Sequence, residues 1–371
     1  MVISREVPFF NYPALFKEKE SEYMGVLRDV LSRGAYILQQ ELTEFEKHTA
    51  EFLGVKHVLG VADGTNALML ALRAIDIRPG DEVILPSHTY VATASAVHYT
   101  GGIPILVDCG PDHMIDPDSI RKSVSEKTRA IMPVQLNGRT ADMDPIMEIA
   151  KEHNLEIIED AAQALGSRFK DQPAGSFGIA GSFSFYPAKL LGCFGDGGAI
   201  ITNDDEIYEK LFLLRDHGRN RDGELVGWGT NCRLDNLQAA ILDFKLQTYN
   251  ENILRRREVA AMYQAGLGDL EELLLPPPPV EHGKHFDVYQ NYEIEAEERD
   301  KLKVFLRERG VGTIIQFGAK ALHQYPLGLD HFDLPYTERV YQRALLLPMH
   351  VALDNDDVEY VIETIRAFYG R

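Results

Sequence analysis

The sequence predicts an α/β protein: a large domain with a mainly parallel sheet covered by helices, then a small C-terminal α/β domain. Three observations carry this. Short apolar segments alternate with helical patterns through the first two thirds of the chain. Those segments are apolar on both faces, as a sheet requires when helices pack on each side. A stiff spacer, Pro276-Pro277-Pro278-Pro279, precedes a second and shorter alternation.

The elements follow in order. Residues 9–33 lead into a helix with Leu27, Val30 and Leu31 at helical spacing, broken at Gly34. Leu42, Phe45 and Phe52 mark a second helix. The alternation then runs strand His57–Ala62, helix Gly64–Ile75, strand Glu82–Leu85, helix His88–Tyr99 and strand Ile103–Val107. It continues with helix Pro117–Ser125, strand Thr128–Val134, helix Asp144–His153 and strand Leu155–Glu159. Strands Ala180–Tyr186 and Gly198–Thr202 and the helix Asp205–Asp216 complete the large unit. A long helical pattern, Leu234–Ala265, stops at Gly266 and carries the chain out of it. The small unit contains a strand near Val288–Ile294, a helix Glu297–Arg309, a strand Thr313–Gln316 and a closing helix, residues 357–368. This division gives domains of 1–245 and 246–371.

Composition narrows the function classes. The 371 residues suffice for two domains. A formal charge of −19 repels nucleic-acid backbones and anionic membranes, so neither is expected as a partner. No stretch approaches the roughly 18 apolar residues of a membrane span. The start, Met1 to Pro8, lacks the apolar core of a signal peptide. Cys109, Cys193 and Cys232 are odd in number and have no metal-ligand spacing, which favours reduced thiols in the cytoplasm and no metal site.

Candidate chemistry gathers at strand ends. The strand ending at Tyr186 is cut by Pro187, which cannot donate to a sheet ladder. Lys189 therefore lies just past a strand end, where open α/β folds place their chemistry. Among small and apolar neighbours it loses solvation and becomes a usable amine nucleophile. A lysine that snorkels out of a loop is the competing reading. At Asp63-Gly64-Thr65-Asn66 a strand-to-helix turn aims backbone amides outward and favours an anion, or is a plain helix cap. Tyr90, in Pro86-Ser87-His88-Thr89-Tyr90, offers an aromatic face to a ring-shaped ligand, or simply packs at a helix start. In Glu159-Asp160-Ala161-Ala162-Gln163 a carboxylate suits a protonated heteroaromatic nitrogen, and Gln163 a neighbouring hydroxyl. Metal ligation and helix capping are the alternatives there.

Together these segments resemble the DegT-type (DegT/StrS) sugar aminotransferase family of fold-type I pyridoxal phosphate enzymes. The resemblance runs from Val7-Pro8-Phe9-Phe10 to Leu347-Pro348-Met349-His350. Its most specific pieces are Asp63-Gly64-Thr65-Asn66, Glu159-Asp160-Ala161-Ala162-Gln163-Ala164, Ser184-Phe185-Tyr186-Pro187-Ala188-Lys189, Gly195-Asp196-Gly197-Gly198-Ala199 and Asn231-Cys232-Arg233-Leu234-Asp235. It implies a fold-type I aminotransferase in which pyridoxal 5′-phosphate alternates with pyridoxamine phosphate. An amino-acid donor, L-glutamate, would aminate a nucleotide-linked keto sugar for amino-sugar or polysaccharide biosynthesis.

Residue by residue, the resemblance makes Lys189 the covalent attachment point and Asp160 the partner of the pyridine nitrogen. Gln163 would contact the 3-hydroxyl and Tyr90 would stack on the ring. Gly64, Thr65, Asn66 and Ser184 would hold the phosphate. Asn231 would reach the phosphate of a neighbouring subunit's cofactor, which implies a homodimer with shared active sites.

The chain departs from the family pattern in several places. Gln135-Leu136-Asn137-Gly138 stands where many members read His-Leu-Tyr-Gly, and Gln39-Gln40 where they read Gly-Pro. Gln316-Phe317-Gly318-Ala319-Lys320 and His323 differ again. Gln135, Tyr186, Lys320 and His323 are accordingly the substrate candidates. Rival readings within the family are a sugar dehydratase and an aminotransferase for aminocyclitol or aromatic precursors. The dehydratases carry histidine at the attachment position, so Lys189 speaks against them. Outside catalysis, the rival is a pyridoxal phosphate-binding regulator.

Overall fold

The computed structural model describes residues 5–371, so the expectation for Met1 to Ser4 lies outside the described residues. In chain order the strands are β1 (His57–Val61), β2 (Glu82–Pro86), β3 (Ile103–Val107), β4 (Thr128–Ile131) and β5 (Glu156–Asp160). A two-residue hairpin pair follows, β6 (Arg168–Phe169) and β7 (Gln172–Pro173), then β8 (Ala180–Ser184) and β9 (Gly198–Thr202). Seven of them form one sheet in the order β1-β9-β8-β5-β4-β2-β3. The run from β8 to β3 is parallel, and β9 is antiparallel to both its neighbours. This is the expected mixed α/β sheet.

Strand periodicity feeds two apolar layers. Val83 and Leu85 join the cluster built on the helix Gly64–Ala74, whereas Ile84 faces the helix Met143–His153 with Ile131 and Ile157. That alternation on a doubly covered sheet makes the strands read as continuous apolar runs. Because the parallel strands share a direction, β2, β5 and β8 all end at the same edge, and β1 ends beside them. The turns carrying Gly64, Tyr90, Asp160 and Lys189 meet there.

The small unit has a three-stranded sheet, β10 (Leu273–Leu274), β12 (Tyr292–Ala296) and β13 (Ala344–Leu347), while β11 (His285–Phe286) reaches back to pair with β6. Its core joins Tyr263, Leu302, Leu345 and Val361, and Val7 from the opposite end of the chain.

Three expectations are corrected. The pattern Leu234–Ala265 is two helices, Asn236–Leu246 and Tyr249–Leu267, separated at Gln247-Thr248. The second passes through Gly266 and ends at Gly268, because Gly266 packs tightly under Ile362 and is there for space. The expected helix His88–Tyr99 starts at Val91, leaving residues 87–90 as an extended turn. The expected strand Thr313–Gln316 shrinks to one bridge, Ile314 with Leu346, before a tight turn with Phe317 at φ 50°. The helix Pro335–Arg343 and strand β13 have no counterpart in the sequence reading.

Candidate active site

At the carboxyl edge of the large sheet lies a cleft of about 690 Å³, facing the small unit. Its floor is made by Asp160 and Lys189, delivered by β5 and by the turn after β8.

Asp160 is buried, with 6% of its surface exposed. Thr93 donates to its Oδ2 at 2.8 Å, and the backbone N–H of Ala162 donates to Oδ1 at 3.2 Å. The hydroxyl of Thr89 stands 2.8 Å behind that of Thr93. Burial pushes the Asp160 carboxyl above its ordinary range, against these two bonds and the charge of Lys189. A carboxylate with so few donors in a dry site binds a proton or a cationic nitrogen strongly.

Lys189 is partly exposed, because it lines the open cleft. Loss of water around its amine pushes its pKa down to about 8, against the opposing pull of Asp160. Compared with an ordinary lysine this raises the neutral, nucleophilic fraction near neutral pH by roughly two powers of ten.

The rim follows from local geometry. Asp63 caps the helix Gly64–Ala74, accepting from the Asn66 backbone N–H at 2.8 Å and from Asn66 Nδ2 at 2.6 Å. The helix therefore opens toward the cleft at Gly64 and Thr65, whose amide groups precede the intrahelical ladder. A Cβ on Gly64 would stand 2.9 Å from Ser184 Cβ, and one on Gly198 2.5 Å from the carbonyl carbon of Asp63. Glycine at both places lets three backbones close around the helix start, where the Gly64 and Thr65 amides suit an anion. Opposite it, Gln163 Oε1 accepts from the Asn137 N–H at 2.9 Å and from Asn291 Nδ2 at 3.4 Å. That leaves its Nε2 as the donor on the cleft side. Tyr90 is exposed at the mouth, its ring 5.9 Å from that of Phe317, and Tyr186 lines the same opening.

Not every predicted residue is here. Gln135 is wholly buried and is corrected as a substrate contact. Its Nε2 donates to Glu159 at 2.7 Å and its Oε1 accepts from the Ala141 N–H at 2.7 Å, so no polar atom is left for a ligand. His323 is likewise corrected: it is 5% exposed and occupied by Ser87, 2.8 Å from Nδ1, and by Glu338. Lys320 is solvent-exposed, rests over the ring of Tyr325 and does not line the cleft. Asn231 is exposed and also lies outside the cleft of its own chain. It follows a loop on which Leu225, Val226 and Trp228 are exposed, Trp228 to 96%.

Sequence reasoning missed Thr93, Asn137, Gln290 and Asn291. Asn137 is a hub: its Oδ1 accepts from Asn291 at 2.9 Å and from Gln316 at 2.7 Å, and its Nδ2 donates to Glu293 at 3.2 Å. Its departure from the family pattern was the available signal. Just outside the cleft, Glu293 also receives His88, His113 and Gln316, at 3.3, 2.8 and 2.6 Å. His113 uses its other nitrogen on Glu295 at 3.2 Å. Flanked by two carboxylates, its ring donates at both nitrogens and is an imidazolium. Burial opposes that charge, yet the bonds to Glu293 and Glu295 outweigh it and push the pKa up to about 10. His88, His113 and Glu293 are also the trio whose ligand atoms lie within 4.8 Å of one another. Hydrogen bonds to Glu293 already tie that trio together, with His88 Nδ1 left buried and without a partner among the described residues.

The geometry can be set beside known proteins. The model of the DegT/DnrJ/EryC1/StrS aminotransferase family matches residues 17–366. A dTDP-3-amino-3,4,6-trideoxy-alpha-D-glucose transaminase of Streptomyces venezuelae is 38% identical, over 98% of this chain and 97% of its own. A pleiotropic regulatory protein of Geobacillus stearothermophilus is also 38% identical, over 98% of each chain. The crystal structure of S. venezuelae DesV, in complex with a ketimine intermediate, superposes with a TM-score of 0.94 at 38% identity, covering 99% of this chain and 100% of that one. A desolvated lysine, a proton-seeking carboxylate, a side-chain amide donor and an anion cradle around one cleft fit pyridoxal phosphate group by group. The chain is a member of the DegT/DnrJ/EryC1/StrS aminotransferase family and takes pyridoxal phosphate as its cofactor.

Proposed function

We propose that this protein transfers the amino group of an amino acid, L-glutamate in our reading, to a keto sugar carried on a nucleotide. The observation that carries it is the facing pair of Lys189 and Asp160 on the floor of one cleft. When bound, pyridoxal phosphate supplies an electron-accepting ring that stabilises charge on the carbon losing its proton. Lys189 would hold it covalently, Asp160 its ring nitrogen, Gln163 its hydroxyl, and Gly64, Thr65, Asn66 and Ser184 its phosphate. Tyr90 would cover one ring face.

The rest is proton work by this chain. Asp160 Oδ keeps a proton at the nitrogen it faces. Lys189 Nζ, once released, removes the proton from the α-carbon of the donor and redelivers it, acting as base and then acid. Its pKa of about 8 makes both forms accessible near neutral pH. Burial of Asp160 keeps it largely from bulk water, which strengthens its field at Lys189. Tyr186 at the mouth is the remaining candidate for the sugar.

Two tests bear on this reading. Borohydride reduction followed by peptide mapping should find the reduced cofactor on Lys189, and a label on another lysine refutes the assignment. The pyridoxamine form, mixed with a panel of nucleotide-linked keto sugars, should return to the aldehyde form with one of them. No response across uridine, thymidine and guanosine derivatives would count against a nucleotide-linked acceptor.

We also propose an obligate homodimer in the cytoplasm, with Asn231 completing the cleft of its partner. Support comes from the exposed apolar loop before Asn231 and from its distance from its own cleft. Co-expressing Lys189→Ala with Asn231→Asp should regenerate one intact site per mixed dimer. An inactive, verified heterodimer would place Asn231 in its own subunit. Residues 1–245 and 246–371 are proposed as the two domains, supported by one apolar cluster centred on the large sheet, another centred on Tyr263, Leu302 and Leu345, and the helix break at Gln247-Thr248. Among the described residues, no helix is long and apolar enough to cross a membrane.

A further inference from the structure

Lys189 has two demands to meet. Its side chain must attach, release and then carry a proton, while its main chain must stay still enough to return the amine to the same carbon. The turn that bears it is short, residues 186–192, and holds only part of that root by itself: the Lys189 N–H donates to the Tyr186 carbonyl at 2.8 Å.

The other contacts come from across the molecule. Gln290, 5% exposed, extends its amide over the turn. Its Nε2 donates to the Ala188 carbonyl at 2.7 Å, and its Oε1 accepts from the Leu190 N–H at 2.7 Å. One side chain thus grips the peptide groups on both sides of Lys189. Gln290 is itself anchored. Its carbonyl and those of Tyr289 and Met349 accept from the buried Arg256, at 3.1, 3.0 and 2.8 Å. Its backbone also presses on Gly138, where a Cβ would stand 2.5 Å from the Gln290 nitrogen. The next residue, Asn291, reaches Asn137 and Gln163. Two adjacent residues ahead of β12 therefore fix both the lysine and the amide at the opposite side of the cleft.

We infer that Gln290 is a positioning residue for Lys189: it holds the lysine's main chain so that only the side chain moves during amino transfer. This rests on Lys189 being the attachment lysine, and the test separates the two claims. Gln290→Leu removes donor and acceptor together. Gln290→Glu keeps the acceptor for Leu190 but sets a carboxylate oxygen against the Ala188 carbonyl. A neutral glutamic acid would restore a donor there.

The experiment uses both holoenzyme variants beside wild type. It follows the pH titration of the bound cofactor's absorbance, the single-turnover rate and half-saturating concentration of L-glutamate in the donor half-reaction, thermal midpoint, and the site of borohydride labelling. For Gln290→Leu we expect a displaced absorbance midpoint and a limiting single-turnover rate lower by about 10- to 100-fold, with the half-saturating concentration within about threefold. Gln290→Glu should match it at high pH and move toward wild-type absorbance as pH falls and the introduced carboxyl gains its proton. If Gln290→Leu does not fold, that recovery in Gln290→Glu still decides the matter. Wild-type absorbance midpoints and single-turnover rates in the variants, with only the thermal midpoint lowered, would overturn the inference and leave Gln290 a packing residue. Labelling of a different lysine in wild type would instead overturn the premise, and this inference with it.

Discussion

Two buried carboxylates on neighbouring walls, Asp160 and Glu293, have opposite fates. Glu293 receives four side-chain donors, from His88, His113, Asn137 and Gln316. Burial works against its charge, but its contacts with the two histidines hold its pKa well below the usual carboxylate range. Asp160 receives two donors, and burial wins. The difference teaches how to tell a structural acid from a reactive one: count the donors that reach it. A carboxylate saturated by donors that include two histidines is fixed as an anion, whereas an under-supplied one holds affinity in reserve for a ligand. Glu159, adjacent to Asp160 in sequence, shows that the kind of donor matters as well as the number. It accepts from Gln135 and from the N–H groups of Gly175, Phe177 and Gly178, all neutral, and burial still pushes its carboxyl above the ordinary range.

The comparison breaks most readily at Asp160. Asp160→Asn should keep the fold but lower the rate of each half-reaction by about 10²- to 10³-fold, because an amide cannot hold the ring nitrogen protonated. Stopped-flow absorbance would measure it, and a near-normal rate would mean that the reactive acid is elsewhere. Glu293→Gln should act in the opposite sense. It should destabilise the protein by about 3 kcal/mol by removing one of the two carboxylates that hold the His113 imidazolium, with a smaller effect on chemistry once folded. Denaturant unfolding checks that value.

The same pair predicts a pH dependence. The pKa of His113 is raised in the fold from its ordinary 6.5 to about 10, so its stabilisation is complete below about pH 6.5 and is lost as pH rises toward 10. Stability measured across that window should fall, and the slope should flatten in Glu293→Gln. An unchanged slope would show that His113 is not the titrating group. The smallest effect is expected from Thr93→Val, which removes one of the two donors of Asp160. It should cost about 1.5 kcal/mol of transition-state stabilisation, roughly tenfold in rate, and leave unfolding nearly unchanged.

How far the sequence could be read follows from the same geometry. Lys189, Asp160 and Gly64 were legible because each sits at a strand end marked by its own neighbours: Pro187, an apolar run, a glycine turn. Their roles depend on chain-local facts plus the common edge of a parallel sheet. Gln135 also sits at a strand end, but its side chain turns inward to Glu159, and no pattern in its neighbours gives that direction. Gln290 and Asn137 act over 100 or more positions through side-chain amides, which leave no periodic trace. The broken helix at Gln247-Thr248 was illegible for a related reason. Neither residue is a helix breaker, and the bend serves two cores that propensity does not register.

Trp228 has a further use. It is the only tryptophan in the chain, and it stands almost wholly in solvent on the loop that leads to Asn231. Tryptophan emission from this protein therefore reports a single place. A separated chain should fluoresce at the long wavelength of a hydrated indole. Burial of that loop against another surface would move the band toward the blue, with no label attached. Dilution alone thus becomes an optical titration of whatever covers the loop, read on the native sequence.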